Sequence, residues 1–348
     1  MRQASSLIGP GLSWLLVGCA TSSSLMAVNV PVGDLRARPR TVARSQDHDP
    51  LQETQVLYGE RVRVVHVSDG WAEVRAIEQP EFTHHRRWEG YPGWLPESSL
   101  RPWHQLLAPT VVVSEPWAIA FQNAYLTSPA PWRFAMGTQL RATDIGGQLW
   151  KVELLDGATV WIPSRAARPL QMLAALSAPE QRQMILAGAS RLIGAPYFWG
   201  GRSPGVGDER IEPRSGSTSD RADAPARMVT GLDCSGLVNL AYRAAGMTLP
   251  RDAHEQYLRA HPVSTLQPAD LVFLSEQSNP RRIVHVMLYA GGGLLIEAPG
   301  TGHTVRRIRV AERFGRPLES LRSGDVVKDQ TVVFGSYINA ASQAALGR

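Results

Sequence analysis

The amino-acid sequence predicts a multidomain chain in which two small all-β barrels precede an α+β domain. Residues 26–104 contain short runs with alternating polar and apolar residues, separated by turn signals, and residues 108–171 repeat that plan. Helical signals begin only at Ser177, which starts a region extending over residues 177–348. A chain of 348 residues also needs more than one domain, because one core rarely organises more than about 250 residues.

The two β units share spaced motifs. Gly59-x-x-Val62 returns as Gly137-x-x-Leu140, Trp71-x-x-Val74 returns as Trp150-x-Val152, and Gly93-Trp94-Leu95-Pro96 returns as Val160-Trp161-Ile162-Pro163. The repetition favours two copies of one barrel, although Trp-containing strands can also recur by chance. The Gly-Trp-Leu-Pro segment resembles the terminal strand of bacterial SH3-like domains.

The composition is that of an ordinary globular protein, with 43% hydrophobic and 19% charged residues. The net charge is only +5 and the basic residues are scattered. Because no basic stripe with interleaved aromatic residues is present, we expect no nucleic-acid partner.

The first nineteen residues predict an export signal. Arg2 precedes an apolar stretch too short to span a membrane, and Leu16-Val17-Gly18-Cys19 matches a bacterial lipobox. We therefore expect residues 1–19 to be a lipoprotein signal peptide, with Cys19 lipidated and the protein anchored in the cell envelope. In a two-membrane bacterium, Ala20 would favour the periplasmic face of the outer membrane. The alternative is a plain secretion signal with a chance cysteine.

The chain has two cysteines. If Cys19 carries lipid, Cys234 is the one free thiol of an exported protein, and catalysis would explain its presence. A helical pattern starts at Cys234 and ends near Gly246, so the thiol would lie at a helix N-terminus, which favours the thiolate. The alternative is a small buried hydrophobic residue.

A base for this thiol is predicted in a hairpin. Residues 283–289 and 294–298 read as two antiparallel strands joined by three glycines, which places His285 and Glu297 nearly opposite on one face. His285 would accept the thiol proton and Glu297 would orient the imidazole. An ordinary cross-strand His–Glu contact remains the alternative.

Five segments resemble the NlpC-type family of cell-wall cysteine peptidases. They are Gly194-x-Pro196-Tyr197-x-Trp199-Gly200-Gly201, Asp233-Cys234-Ser235-Gly236-Leu237-Val238, Leu249-Pro250-Arg251-Asp252, Pro268-Ala269-Asp270-Leu271-Val272-Phe273 and His285-Val286-x-Leu288-Tyr289. The resemblance implies a papain-like α+β fold over residues 177–348. Residues 205–228, rich in charge, Gly, Ser and Pro, depart from the family as a mobile insertion.

The resemblance also implies roles for the catalytic residues. Cys234 matches the nucleophile and His285 the base, whereas Glu297 falls on a third position that is most often His in the family. The backbone N–H of Cys234, together with Tyr197, would stabilise the oxyanion.

Further positions match the substrate-binding part of the family pattern. Asp252 would pair with a free amine of the substrate, with Tyr91 and Glu60 of the first barrel closing the site over it. A helix-capping role is the alternative for Asp252. Asp233 and Ser235, which flank the nucleophile, are also expected to bind substrate. Trp199 would shape the pocket wall, or else be a core aromatic residue.

In relatives with two SH3-like domains, the substrate is a peptide with a free N-terminal L-alanine joined to γ-D-glutamate, and the bond cut precedes the diamino acid. We therefore expect an endopeptidase acting on peptidoglycan-derived peptides, without metal or organic cofactor and as a monomer. The alternatives are a hydrolase of intact wall, a related acyltransferase, and a catalytically inert wall-binding protein.

Overall fold

The computed structural model of this chain describes residues 24–41, 49–104, 108–205 and 230–338. The predicted signal peptide with Cys19, and residues 206–228 of the predicted insertion, lie outside the described residues. Within the described ranges, no helix combines the length and apolar character needed to cross a membrane.

The first β unit is a single antiparallel sheet in the order β3-β2-β6-β5-β4-β1-β7. Its strands are β1 (Leu25–Val28), β2 (Val32–Arg36), β3 (Gln52–Leu57), β4 (Arg61–Ser68), β5 (Trp71–Glu81), β6 (Glu89–Pro96) and β7 (Leu100–Pro102). Alternation along β5 buries Ala72, Val74 and Ala76 on one face, as period-two patterning requires.

The second β unit has the order β10-β9-β13-β12-β11-β8-β14, which is the first order shifted by seven strands. Its strands are β8 (Val111–Val113), β9 (Trp117–Phe121), β10 (Pro129–Ala135), β11 (Gln139–Ile145), β12 (Leu149–Glu153), β13 (Thr159–Pro163) and β14 (Ala167–Pro169). In both units a 3-10 turn precedes the last strand, at Glu97–Ser99 and Ser164–Ala166. The repeat in the sequence therefore corresponds to a repeat in the fold.

The C-terminal region is an α+β domain, which confirms the predicted fold class. Its helices are α1 (Leu170–Ala174), α2 (Ala178–Arg191), α3 (Cys234–Ala244), α4 (Ala253–Arg259) and α5 (Val310–Phe314). Its strands are β15 (Arg202–Ser203), β16 (Gly231–Leu232), β17 (His261–Pro262), β18 (Leu271–Ser275), β19 (Ile283–Gly291), β20 (Leu294–Glu297), β21 (Arg306–Arg309), β22 (Val326–Val327) and β23 (Gln330–Ser336). A further 3-10 turn spans Leu318–Ser320.

The main sheet runs β17-β23-β18-β19-β20-β21, and β22 pairs with β23. One core lies between this sheet and helices α2 and α3, where Ile185, Leu237 and Leu240 meet Val286 and Leu288. Strands β15 and β16 form a separate two-stranded ladder. Because β16 leads directly into α3, this ladder fixes where the helix begins.

The hairpin of β19 and β20 differs from the expected register. A bulge between Tyr289 and Gly291 sets Leu288 opposite Ile296. This register places Glu297 diagonal to His285, two residues away from the directly opposed position. Both side chains still share one face of the sheet, since side-chain direction alternates with every residue.

Candidate active site

Cys234 is the first residue of α3, and the residue before it shapes the helix entrance. Asp233 is the N-cap, and its Oδ1 accepts a hydrogen bond from Gly236 N–H at 2.6 Å. Its Oδ2 accepts another from Gly200 N–H at 3.0 Å. One carboxylate thus joins the start of the helix to the loop carrying Trp199, and it leaves the Cys234 thiol half-buried at the helix N-terminus.

Asp233 is itself held by Arg251, a fully buried side chain. Arg251 Nη2 lies 2.7 Å from Asp233 Oδ2, and Nη1 donates to Ser235 Oγ at 2.9 Å. Arg251 Nε donates to Thr54 Oγ1 of the first β unit at 2.6 Å. Asp233 and Ser235 therefore support the nucleophile, and both also line the cleft. Arg251 lay within a recognised motif, but its role was not predicted.

His285 stands on β19 beside a second bulge, at Val284, where β19 pairs with β18. Its Nε2 lies 3.3 Å from Glu297 Oε2. Burial lowers the pKa of His285, but hydrogen bonding and charge from Cys234 and Glu297 outweigh it and raise that pKa to about 9. The imidazolium is therefore the resting form at neutral pH, next to the sulfur of Cys234.

Glu297 is fully buried and contacts two arginines besides His285. Arg306 Nη2 lies 2.8 Å from Oε1, and Arg313 Nε lies 3.2 Å from Oε2. Burial alone would raise the pKa of Glu297, but His285 and the two guanidinium groups lower it to about 2. The carboxylate is thus ionised throughout the neutral range. Sequence reasoning missed both arginines, although Arg306 stands directly opposite Glu297 in the β20–β21 ladder.

A cleft of about 800 Å³ runs past Cys234 and His285. Its walls come from two domains, because the first β unit contributes Glu53, Thr83, His84 and Tyr91. Trp199 also lines the cleft and is 55% exposed, so it is not a core aromatic residue. Tyr197 lines the same cleft and is nearly buried, where desolvation and the charges of Asp233 and Cys234 raise its pKa above the usual range.

Asp252 and Tyr91 meet across the domain boundary in the wall of this cleft. The Tyr91 hydroxyl donates a hydrogen bond to Asp252 Oδ2 at 3.0 Å. Asp252 occupies the N-cap position of α4 but makes no capping hydrogen bond with its side chain. That side chain keeps 40% exposure, facing the cleft. Desolvation raises its pKa to about 6, against the opposing effect of Arg251.

Glu60 does not lie where the sequence analysis placed it. Its carboxylate is buried between the domains, with Oε1 2.8 Å from Arg202 Nη2 and 3.3 Å from Arg243 Nη2. It does not line the cleft around Cys234, so its position does not support a contact with the substrate amine.

Glu53, another glutamate of the first β unit, does line the cleft, and its carboxylate lies 3.8 Å from His84 Nε2. The carboxylates of Glu53 and Glu81 raise the pKa of His84 to about 10, against the effect of burial. No sequence motif pointed to either Glu53 or His84, because their approach to the cleft depends on how the domains dock.

Among the described residues, one group of acidic and histidine side chains brings possible metal ligands within 4.8 Å of one another, namely Glu81, His85 and Glu89. His85 Nδ1 contacts Glu89, while Glu81 Oε2 hydrogen-bonds with His84 at 3.0 Å. Ion pairing accounts for these contacts, and we assign the group no metal.

The arrangement as a whole can carry out acyl transfer. A thiol at a helix N-terminus, an imidazole beside it and an ionised carboxylate behind the imidazole are the groups that nucleophilic catalysis requires. The backbone N–H of Cys234 is available at the helix start for a developing oxyanion.

Comparisons with known proteins agree with this chemistry. The NlpC/P60 family matches residues 194–329. A γ-D-glutamyl-L-lysine dipeptidyl-peptidase of Bacillus cereus is 28% identical over 263 residues, covering 74% of this chain and 70% of the relative. A protein of the same name from Bacillus subtilis is 26% identical over 269 residues, covering 76% of this chain and 78% of the relative.

A solved structure of an NlpC/P60 family protein from Bacillus cereus has the same fold. Its TM-score is 0.66 at 22% identity, with 91% of this chain and all of that chain (100%) covered. The chain is thus a cysteine peptidase with an NlpC/P60 domain, preceded by an all-β region that fits SH3-like domains.

Proposed function

We propose that this peptidase hydrolyses the γ-D-glutamyl–diamino acid bond of peptidoglycan stem peptides that have a free N-terminal L-alanine. The observation that carries the proposal is the Tyr91–Asp252 hydrogen bond, which sets a carboxylate in the wall of the catalytic cleft, within reach of a substrate amine. The two Bacillus relatives, named as γ-D-glutamyl-L-lysine dipeptidyl-peptidases, support the bond class.

The reaction would proceed through an acyl-enzyme. The thiolate of Cys234, paired with the imidazolium of His285, attacks the γ-carbonyl carbon of D-glutamate. The oxyanion forms near the Cys234 N–H, while Glu297 holds the imidazolium through Nε2. His285 then protonates the amine of the diamino acid as it leaves and becomes neutral. Water, deprotonated by the neutral His285, hydrolyses the thioester, and Cys234 is released as the thiolate beside the restored imidazolium.

The amine end of the substrate would bind at Asp252. An ammonium group placed against this carboxylate forms a charge-assisted pair, with Tyr91 fixing the carboxylate orientation. In intact wall the same nitrogen is an amide and carries a lactyl-muramyl group. That group has no positive charge to pair with Asp252 and adds bulk beside Tyr91, so released peptides would be the substrates.

Two peptides test this proposal, L-Ala-γ-D-Glu-diaminopimelate and its N-acetylated form. The wild type should cut the free peptide faster by about tenfold to a hundredfold, since Asp252 is partly exposed and a hydrogen bond to a charged group contributes about 1.5–3 kcal/mol. Asp252→Asn should slow the free peptide far more than the acetylated one. Asp156→Asn, which removes an exposed carboxylate in the second β unit, is the matched control. Equal wild-type rates on both peptides would instead identify a hydrolase of intact wall.

We also propose that the protein is exported, lipid-anchored through Cys19 and monomeric. The lipobox supports the anchor, although Cys19 lies outside the described residues. Mass spectrometry of the mature N-terminus and detergent partitioning of Cys19→Ser would test it. Light scattering of the protein lacking residues 1–19 would give the oligomeric state.

A further inference from the structure

The third catalytic position of this chain is built differently from the family pattern that the sequence resembles. We propose that Arg306 and Arg313 are positioning residues that allow Glu297 to serve at the third catalytic position, where His is the usual residue. The inference rests on the Cys234–His285 chemistry and is independent of the preference for a free amine.

Each carboxylate oxygen of Glu297 has its own hydrogen-bond partners. Arg306 donates to Oε1 from both Nε at 3.0 Å and Nη2 at 2.8 Å. Arg313 Nε donates to Oε2 at 3.2 Å, the oxygen that also faces His285 Nε2 at 3.3 Å. The carboxylate therefore cannot rotate away from His285 without breaking hydrogen bonds to both arginines.

The two arginines come from separate elements. Arg306 stands on β21, opposite Glu297 in the ladder, whereas Arg313 is on α5. Both side chains line a second pocket, and Arg313 also lines the substrate cleft. Arg306 does not line that cleft, so it can influence catalysis only through Glu297 and through its positive charge.

Charge balance explains why a carboxylate needs this support. A buried carboxylate without cations would take up a proton and lose its ability to accept a hydrogen bond from the imidazolium. With two guanidinium groups attached, the cluster of Glu297, Arg306 and Arg313 has a net charge of about +1 rather than –1. The cluster thus orients His285 but stabilises its imidazolium less than a lone carboxylate would.

A double-mutant cycle between Glu297 and Arg306 tests the proposal. Arg306→Gln should lower kcat by about tenfold or more with little change in KM, because the loss is felt in the transition state. Since one opposing positive charge is removed, the alkaline limb of kcat should also move to higher pH. Glu297→Gln combined with Arg306→Gln should be no slower than Glu297→Gln alone. Additive losses, or a kcat within about twofold of wild type in Arg306→Gln, would overturn the proposal.

Arg307 provides the matched control. It is the next residue on β21, is exposed, and donates to Ser190 Oγ at 3.3 Å. Arg307→Gln makes the same change in charge on the opposite face and should leave kcat and its pH profile unchanged. If Arg306→Gln proves too unstable to measure, Arg306→Lys keeps the charge but not the two-point contact, and it should retain intermediate activity.

Glu297→His gives an independent readout. Introducing the usual family residue alone places an imidazole between two guanidinium groups, so this variant should be poorly active. Adding Arg306→Ser and Arg313→Ser should recover activity, and failure of that rescue would contradict matching between the arginines and the carboxylate. The rate at which iodoacetamide alkylates Cys234 can be measured in the same variants without any peptide substrate, and it should change in the same order as their activity. It therefore separates a failure of this inference from a failure of the proposed substrate.

Discussion

Cys234 and His285 are supported in the same way. Beside each lies a carboxylate, Asp233 or Glu297, and each carboxylate is held by an arginine. The arginine–carboxylate contacts fix both oxygen atoms of each carboxylate, which leaves little conformational freedom for the catalytic side chains. The nucleophile and the base are thus oriented before substrate arrives.

Removal of the nucleophile should separate catalysis from stability. Cys234→Ala should abolish peptide hydrolysis while the thermal midpoint stays within a few degrees of wild type, because only a small half-buried side chain is lost. Peptide cleavage assays and calorimetry measure the two effects. Hydrolysis near the wild-type rate in this variant would exclude Cys234 as nucleophile.

The pH dependence of substrate capture should reflect Asp252, whose pKa is raised to about 6. Below this pH the carboxyl group is neutral and cannot pair with the substrate ammonium, so kcat/KM for the free peptide should fall as pH drops through about 6. Neither the N-acetylated peptide nor Asp252→Asn should show this acid limb. An identical limb with both peptides would assign the titration to another group.

The site residues divide according to what determines their position. Cys234 and His285 could be predicted because each belongs to a local pattern, a helix start or a strand. Glu297 followed from the expected parity of one hairpin, and the bulge between Tyr289 and Gly291 is what brings His285 and Glu297 onto the same face. Predicting Arg306 as a partner of Glu297 would have required the pairing of β20 with β21. Predicting Arg313 would have required the docked position of α5. Glu60 was misplaced because its partners Arg202 and Arg243 belong to other elements.

At the scale of elements, the two β units show how much a repeat can predict. Spaced Gly and Trp residues predicted two copies of one unit, and the strand orders are identical after a shift of seven. The bulges within β4, β5 and β19 could not be predicted. A bulge adds one residue to one strand, and alternation of residue type continues on either side of it.

Arg251 links helix α3 to strand β3, so its loss should affect both. Arg251→Leu leaves the buried Asp233 carboxylate without its cation and should lower the free energy of unfolding by about 3–5 kcal/mol. Thr54→Val removes one hydrogen bond of Arg251 and one to Gln79 and should cost about 2 kcal/mol. Urea unfolding measures both, and equal effects would contradict a central role for the Arg251–Asp233 pair.

At the scale of the whole molecule, the first β unit and the peptidase domain share a polar interface. Arg202 N–H donates to Gln55 Oε1 at 2.9 Å, and Glu60 pairs with Arg202 and Arg243. Buried charges of this kind are stable only while both domains stay in place. The active-site cleft therefore depends on an interface that no local sequence pattern describes.

This interface predicts one cooperative unfolding transition for the two domains. Glu60→Gln should leave Arg202 and Arg243 without their shared carboxylate and lower the thermal midpoint by several degrees. It should also separate the single calorimetric transition into two. Glu73→Gln, on the surface of the same β unit, is the control. Two transitions already present in the wild type would show that the domains unfold independently.

Binding of the substrate amine at Asp252 would also determine which bond is cut. If the substrate amine is held at Asp252, the bond that reaches Cys234 is set by the length of chain between the two residues, and not by whatever follows the bond. Every turnover then releases the same dipeptide, from short or long peptides alike. An enzyme that requires a free amine end would not cut a stem peptide that is still joined to the wall. Such an enzyme could therefore remain active beside intact peptidoglycan.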